Sequence, residues 1–259
     1  MACSRTEVVT TYEDVREWQR VYGGQPFVQE YVKGPLYIVG GLCREGTLLR
    51  VCIHRREAEY PLYGPDLMGV TVKVPTLLEY GERIFRALRW NGLANLQFKE
   101  DPRTGEFKFL ELEPRPWAFI ELAHRAGVDM AGAYCAMATG AQVQPDMTFR
   151  TGVRFVKLIP EGLLYLWAHP REIPRVVGRL ASPGCSTNVA RDDLGPNLHQ
   201  LKRFYWEFRR DLRDRSVRAD RADRERIDAA VRTHSPSVRT PCHPMQGLAQ
   251  NLRVRPDEP

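Results

Sequence analysis

The sequence has no apolar run of roughly 18 residues, the length a membrane-crossing helix needs. Its opening residues, Met-Ala-Cys-Ser-Arg-Thr-Glu, contain no apolar segment of the kind that forms a secretory signal. The six cysteines, at positions 3, 43, 52, 135, 185 and 242, include no CxxC pair and no zinc-ligand spacing. Cysteines scattered in this way read as free thiols in a reducing compartment, so the expected location is cytoplasmic and no membrane partner is expected. The histidines are scattered too. His124 falls on a predicted helix and reads as a structural or surface residue, and no Ser/His/Asp or Cys/His arrangement offers a nucleophile. The net charge is +6, but the arginines do not alternate with aromatics in a nucleic-acid module. Much of the basic character lies from Arg209 onward, interleaved with Asp, which is the pattern of a solvated charged helix. Nucleic acid is therefore not an expected partner.

What is present is enough apolar residue, 43% of 259, for one large domain or two small ones. Thr11 and Asp14 have the spacing of a capping box and open a helix that runs to about Tyr22, stopped by Gly23-Gly24. Strands are predicted near residues 26–32, 37–43 and 47–54, the last two joined by a turn at Glu45-Gly46. Residues 64–69 read as a mobile loop, a lid in function. Pro75 opens a helix whose Leu77, Tyr80, Ile84 and Leu88 share one face, ending at Asn91-Gly92. Helices fit 117–126 and 129–138, a returning strand 152–159, and peripheral helices 170–180 and 198–212. After about Arg213 alternating charge gives way to a proline-rich stretch, which predicts a disordered tail.

The most informative segment is 96–117. It reads as two short strands joined by a turn at Pro102 and Gly105. Strand alternation puts Leu110 and Leu112 on one face and Glu111 and Glu113 on the other. Two carboxylates about 7 Å apart on one face repel each other, and a hard cation such as magnesium would relieve that. If residues 103–105 form a three-residue loop with Gly105 left-handed, Gln97 lies opposite Glu111 and Lys99 joins the polar face. Leu96, Phe98, Leu110 and Leu112 then make the apolar face. A four-residue loop would slip the register by one and turn Gln97 away. On pattern alone, a solvated amphipathic hairpin with its acids in water is the simpler reading.

The run Leu110-Glu-Leu-Glu-Pro-Arg115, followed by Pro116-Trp117 and Glu121, His124 and Asp129, resembles the ATP-grasp superfamily and its carboxylate–amine ligase branch. The family strand usually reads Leu-Glu-Ile-Asn-Pro-Arg. The resemblance reaches back to Pro26–Gly34, which looks like the adenine-contacting hinge, and forward to about residue 205. It implies an α+β fold, an ATP-grasp large subdomain with a mainly antiparallel sheet flanked by helices. It implies ATP and Mg2+ as cofactors, with metal held by Glu111, by Glu113 where the family usually has Asn, and by Gln97 where it usually has Glu. Arg115 would contact the transferring phosphoryl group, where a guanidinium fork suits phosphate oxygens. Gln29, Glu30, Tyr31 and Val32 would line adenine, although residues 27–32 also read as an ordinary strand. Arg55 and Arg56 would approach the phosphates, although a solvated basic strand end is an equal alternative. The ribose contact is unassigned, because Leu36 and Tyr37 occupy the neighbourhood where the family often has an acid.

Against the family pattern, the chain begins after the phosphate-contacting Lys strand and the glycine-rich loop. It therefore reads as the C-terminal part of a ligase: residues 1–35 a remnant of the small subdomain and hinge, 36–212 the large subdomain, 213–259 a charged tail. The implied activity joins a small-molecule carboxylate to an amine through an acyl-phosphate. A complementary N-terminal chain or a second copy of this chain is the macromolecular partner this reading would need. The alternative is a non-catalytic relic or partner subunit that binds nucleotide weakly or not at all.

Overall fold

The computed structural model describes residue 9 and residues 11–59, 66–189 and 194–213. The predicted tail beyond residue 213, the opening of the predicted lid, Cys3 and Cys242 lie outside these residues. Helix α1 spans Tyr12–Tyr22, and its capping box closes as predicted, with Thr11 and Asp14 each accepting from the other's backbone N–H. Next come β1 (Leu36–Arg44), β2 (Thr47–Glu59), β3 (Asp66–Thr71), α2 (Pro75–Ala87), β4 (Gly92–Glu100) and β5 (Phe107–Glu113). The chain continues through α3 (Ile120–Arg125), α4 (Met130–Ala138), β6 (Arg154–Val156), α5 (Leu163–Ala168), α6 (Ile173–Leu180), β7 (Cys185–Thr187) and α7 (Leu194–Arg213).

The strands form one seven-stranded sheet in the order β5-β4-β1-β2-β3-β6-β7, antiparallel except for the β6–β7 pair. This is the α+β arrangement the sequence implied. β1 is buried along nearly its whole length, which is why it reads as a near-continuous apolar run rather than as alternation. One face presents Val39, Val51, Ile53, Ala94, Leu96 and Phe98 to Leu77 and Phe85 of α2. The opposite face presents Ile38, Leu42 and Cys52 to Trp117, Phe119, Leu122 and Met130, brought in by α3 and α4. A third cluster joins Leu67, Met68 and Val156 to Leu164, Tyr165 and Val176.

Four predicted features need correction. Residues 26–32 form no strand: Phe27 is 87% exposed, so the apolar pair Phe27-Val28 has no sheet neighbour. Residues 66–69, read as part of a lid, belong to β3, which is buried throughout. Helix α2 ends at Ala87, ahead of the predicted Asn91-Gly92, because Arg89 takes a left-handed backbone (φ 47°). The strand predicted over 152–159 shrinks to Arg154–Val156. Cys43, Cys52, Cys135 and Cys185 are free thiols, as expected, and burial pushes the first two up to about 12.

Candidate functional site

The acid-bearing hairpin forms, by a route the sequence did not show. Asp101 pairs with Glu106 and its carbonyl accepts from Gly105, so residues 102–105 make a four-residue loop with Gly105 left-handed (φ 71°). The ladder then runs Glu100 to Phe107, Lys99 to Lys108 and Phe98 to Phe109, the slipped register. A β-bulge follows in which Leu110 has no partner, and beyond it Gln97 faces Glu111, Leu96 faces Leu112 and Asn95 faces Glu113. The bulge cancels the slip. It also separates the two leucines. Leu112 packs with Leu96 and Phe98, whereas Leu110 packs against the cluster around Trp117 and Leu122, so Leu110 leaves the apolar face predicted for it.

The Asp101 carboxylate fixes the hairpin tip. It is 2% exposed and accepts from the Arg103 backbone N–H (3.0 Å) and guanidinium (2.7 and 2.9 Å). Those hydrogen bonds hold its pKa down at about 2, from 3.8. A depressed carboxyl contributes stability that is present above its unfolded pKa, near pH 4, and is lost as pH falls through the folded value. Thermal unfolding followed by circular dichroism across that interval should therefore show Asp101→Asn less stable than the parent at pH 7, with a shallower loss between about pH 4 and 2.

Above the tip, two rows cross one face of the sheet. The first holds Glu111, Gln97, Ile38 and His54, and the second Glu113, Asn95, Gly40 and Cys52. Glu111 is exposed, Gln97 is half-buried, and neither side chain is hydrogen-bonded among the described residues. Glu113 is engaged twice. Asn95 donates to its Oε2 at 2.6 Å, and Arg115 forms an ion pair with its other oxygen. The Arg115 side chain is 65% exposed, leaving most of its donors accessible. Glu111, Gln97, Glu113 and Asn95 offer a metal only oxygen donors, which suits a hard cation. Among the described residues, no group of three or more His, Cys, Asp or Glu is placed to hold a metal ion, so any ion held here relies on the Gln97 and Asn95 amides as well. Asn95 was not singled out in the sequence. Its signal is a polar residue, two before Gln97, in the otherwise apolar start of β4.

The strand continues into a fixed anchor. The Trp117 indole, 6% exposed, lies directly over Gly40. This ties the Pro114–Pro116 segment, and Arg115 with it, to the centre of the sheet.

The two predicted phosphate-side arginines diverge. Arg56 shares the face of Glu111 and pairs with the buried Asp66, which also sits 3.3 Å from His54 Nε2. His54 is itself 1% exposed and stacked on Phe119. Burial pushes the Asp66 carboxyl up, but His54 and Arg56 outweigh it and leave the pKa lowered. Arg55 points to the other face, beside Tyr37. There the buried Glu57 carboxylate lies 4.0 Å from Arg55, 3.9 Å from Arg154 and 3.1 Å from Arg179. The predicted hinge residues run past the hairpin tip. Glu30 pairs with Arg103 at 2.6 Å, and the buried Val32 accepts from Lys99 Nζ at 2.9 Å. Lys99 also lies 5.1 Å from the Tyr31 ring centroid, and Gln29 is exposed. Gly34 allows the segment to approach β4, since a Cβ there would lie 1.8 Å from the Glu100 carbonyl oxygen.

Residues 25–159, just over half the chain, match the family described as ATP-grasp in the biosynthetic pathway with Ter operon. The chain belongs to the ATP-grasp family. No curated protein matches it in sequence. Among solved structures, this ATP-grasp chain is similar to N5-carboxyaminoimidazole synthetase from Staphylococcus aureus, with 13% identity and a TM-score of 0.49 over 64% of this chain and 46% of that one. It is also similar to the multifunctional pyruvate carboxylase from Rhizobium etli (16% identity, TM-score 0.41, 56% of this chain and 15% of that one). A third is biotin carboxylase from Campylobacter jejuni (14%, 0.40, 55% and 34%). The chain thus spans less than half the length of each. No helix among the described residues is long and apolar enough to cross a membrane.

Proposed function

We propose that the chain carries the metal- and phosphate-binding half of an ATP- and Mg2+-dependent carboxylate–amine ligase that works through an acyl-phosphate. The observation that carries this reading is the register of β4 and β5. It brings Glu111 opposite Gln97 and Glu113 opposite Asn95 on the face from which Arg115 emerges. Magnesium, when bound, would offset charge on the transferring phosphoryl group. Glu111 and the Gln97 amide oxygen are the groups free to hold it. The two Glu113 oxygens each keep a lone pair beyond their bonds to Asn95 and Arg115. Arg115, restrained by Glu113, presents its remaining donors to phosphate oxygens. Arg56, paired with Asp66, lies on the same face three strands away, about 14 Å across the sheet. Gln29–Val32 would lie along adenine, with residues 36–212 as the large subdomain.

Glu113 held by Arg115 and an amide at position 97 favour a second reading, a partner subunit that keeps the fold without turnover. Calorimetric titration of ATP with and without Mg2+ separates the two. Under the ligase reading the parent chain binds Mg·ATP, and Glu111→Ala weakens it by about tenfold or more without changing metal-free ATP binding. Equal heats for parent and variant remove Glu111 from the site, and a parent chain that binds no nucleotide supports the subunit.

A further inference from the structure

We propose that Arg55, Arg154 and Arg179 form a site for a phosphate group, on the sheet face opposite the acid row and separate from any ATP bound over that row. The three come from different elements, β2, β6 and α6, and converge on the carboxylate of Glu57. Glu57 sits in the β-bulge between Arg56 and Ala58, and its side chain is 5% exposed. The arginine side chains around it are between 28% and 43% exposed, so an incoming anion can reach them.

Charge is the first argument. Among the described residues, no second carboxylate lies within ion-pairing distance of these three guanidinium groups. One carboxylate against three cations leaves two positive charges in excess. Guanidinium groups gathered round a single buried acid repel one another. Pinning α6 to the sheet does not require that surplus, because Arg175 already donates to the Glu57 carbonyl oxygen at 2.9 Å and to the Glu172 carboxylate at 2.9 Å. An excess of two matches a phosphate monoester, which carries about −1.5 to −2 near neutral pH. A carboxylate ligand would leave one charge uncovered.

Unspent donors are the second. Arg179 approaches Glu57 to 3.1 Å, but Arg55 and Arg154 stand off at 4.0 and 3.9 Å, beyond hydrogen-bonding distance. The Arg154 Nε is buried and has no hydrogen-bond partner, and buried donors of this kind are normally satisfied. Phosphate oxygens accept charge-assisted hydrogen bonds from several guanidinium groups at once, which would employ all three arginines.

Position is the third. Strand alternation turns Arg55 to the face of Tyr37, away from His54. It turns Arg154 the same way, because the neighbouring Phe155 ring packs with Phe119 on the acid-row side. The sheet therefore separates the cluster from Glu111 and Arg115. Arg55, whose place in the sequence suggested the phosphates of ATP, faces a different anion.

The test is thermal unfolding of the full chain at fixed ionic strength, in millimolar inorganic phosphate, in phenyl phosphate as a monoester, and in acetate as the carboxylate control. At least one phosphate probe should raise the midpoint by about 3 °C or more, and acetate should not. A larger shift with the ester assigns the site to a phosphorylated small molecule, and an equal or larger shift with inorganic phosphate assigns it to the free ion. Arg154→Gln and Arg179→Gln, each compared with its own midpoint in the absence of phosphate, should abolish the shift. Arg115→Gln, on the opposite face, should keep it. The proposal is overturned if neither phosphate probe stabilises the chain more than acetate does, or if both cluster variants keep the shift. It is also overturned if Arg115→Gln abolishes the shift, which would put the phosphate over the acid row.

Discussion

Replacing Gly40 with alanine should destabilise the protein by about 3 kcal/mol or more, the upper range for overpacking a filled core. A Cβ at this position would lie 2.0 Å from the Trp117 ring, far inside van der Waals contact. The ring cannot simply step aside, because it is wedged among Ile38, Leu122 and the rest of its cluster. In a domain of this size the unfolding midpoint should fall by roughly 6–12 °C. The damage should also reach the site. Trp117 anchors the segment carrying Arg115, so a displaced ring moves that arginine relative to Glu113. A double-mutant cycle with Trp117→Ala checks the mechanism. Once the indole is gone, adding alanine at position 40 should cost little more, and strictly additive losses would show that the clash is not the cause.

Asp66→Ala should cost about 3 kcal/mol, the lower end for breaking a buried ion pair by removing one member. Removing the carboxylate takes away a partner that Arg56 and the ring of His54 share. The pH dependence carries the sign of a depressed carboxyl. In the parent, this stabilisation is present above the ordinary aspartate pKa, near 4, and is lost as the medium is acidified through the lowered folded value. The variant should lack that part of the acid limb. Asp66→Asn keeps the shape without the charge and should fall between parent and alanine variant in denaturant midpoint. Parity between asparagine and parent would mean that geometry, not charge, holds Arg56.

These two sites show why the sequence disclosed some features and hid others. The hairpin was legible because turn residues and alternating acids are local signals. Gln97 opposite Glu111 was anticipated through a three-residue loop, yet a four-residue loop plus a bulge at Leu110 produces the same pairing, and nothing in the chain distinguishes them. β3 was read as part of a lid because Gly69 suggests a loop. In the structure that glycine makes room for Phe119 and His54 from elsewhere in the chain. β7 and α5 were missed because a three-residue edge strand and a six-residue apolar helix carry no periodicity to detect. The engagement of Glu113 by Asn95, and the turning of Arg55 and Arg56 to opposite faces, depend on strand neighbours that no local pattern specifies.

The extra residue at Leu110 makes the length of the hairpin tip and the placement of the acids separately adjustable. Shortening the tip by one residue can be absorbed by ironing the bulge flat, which leaves Glu111 and Glu113 facing the same neighbours. Lengthening it by one demands a second kink or flips both carboxylates through the sheet. Variation at the tip is thus tolerated asymmetrically, with slack available for deletion alone.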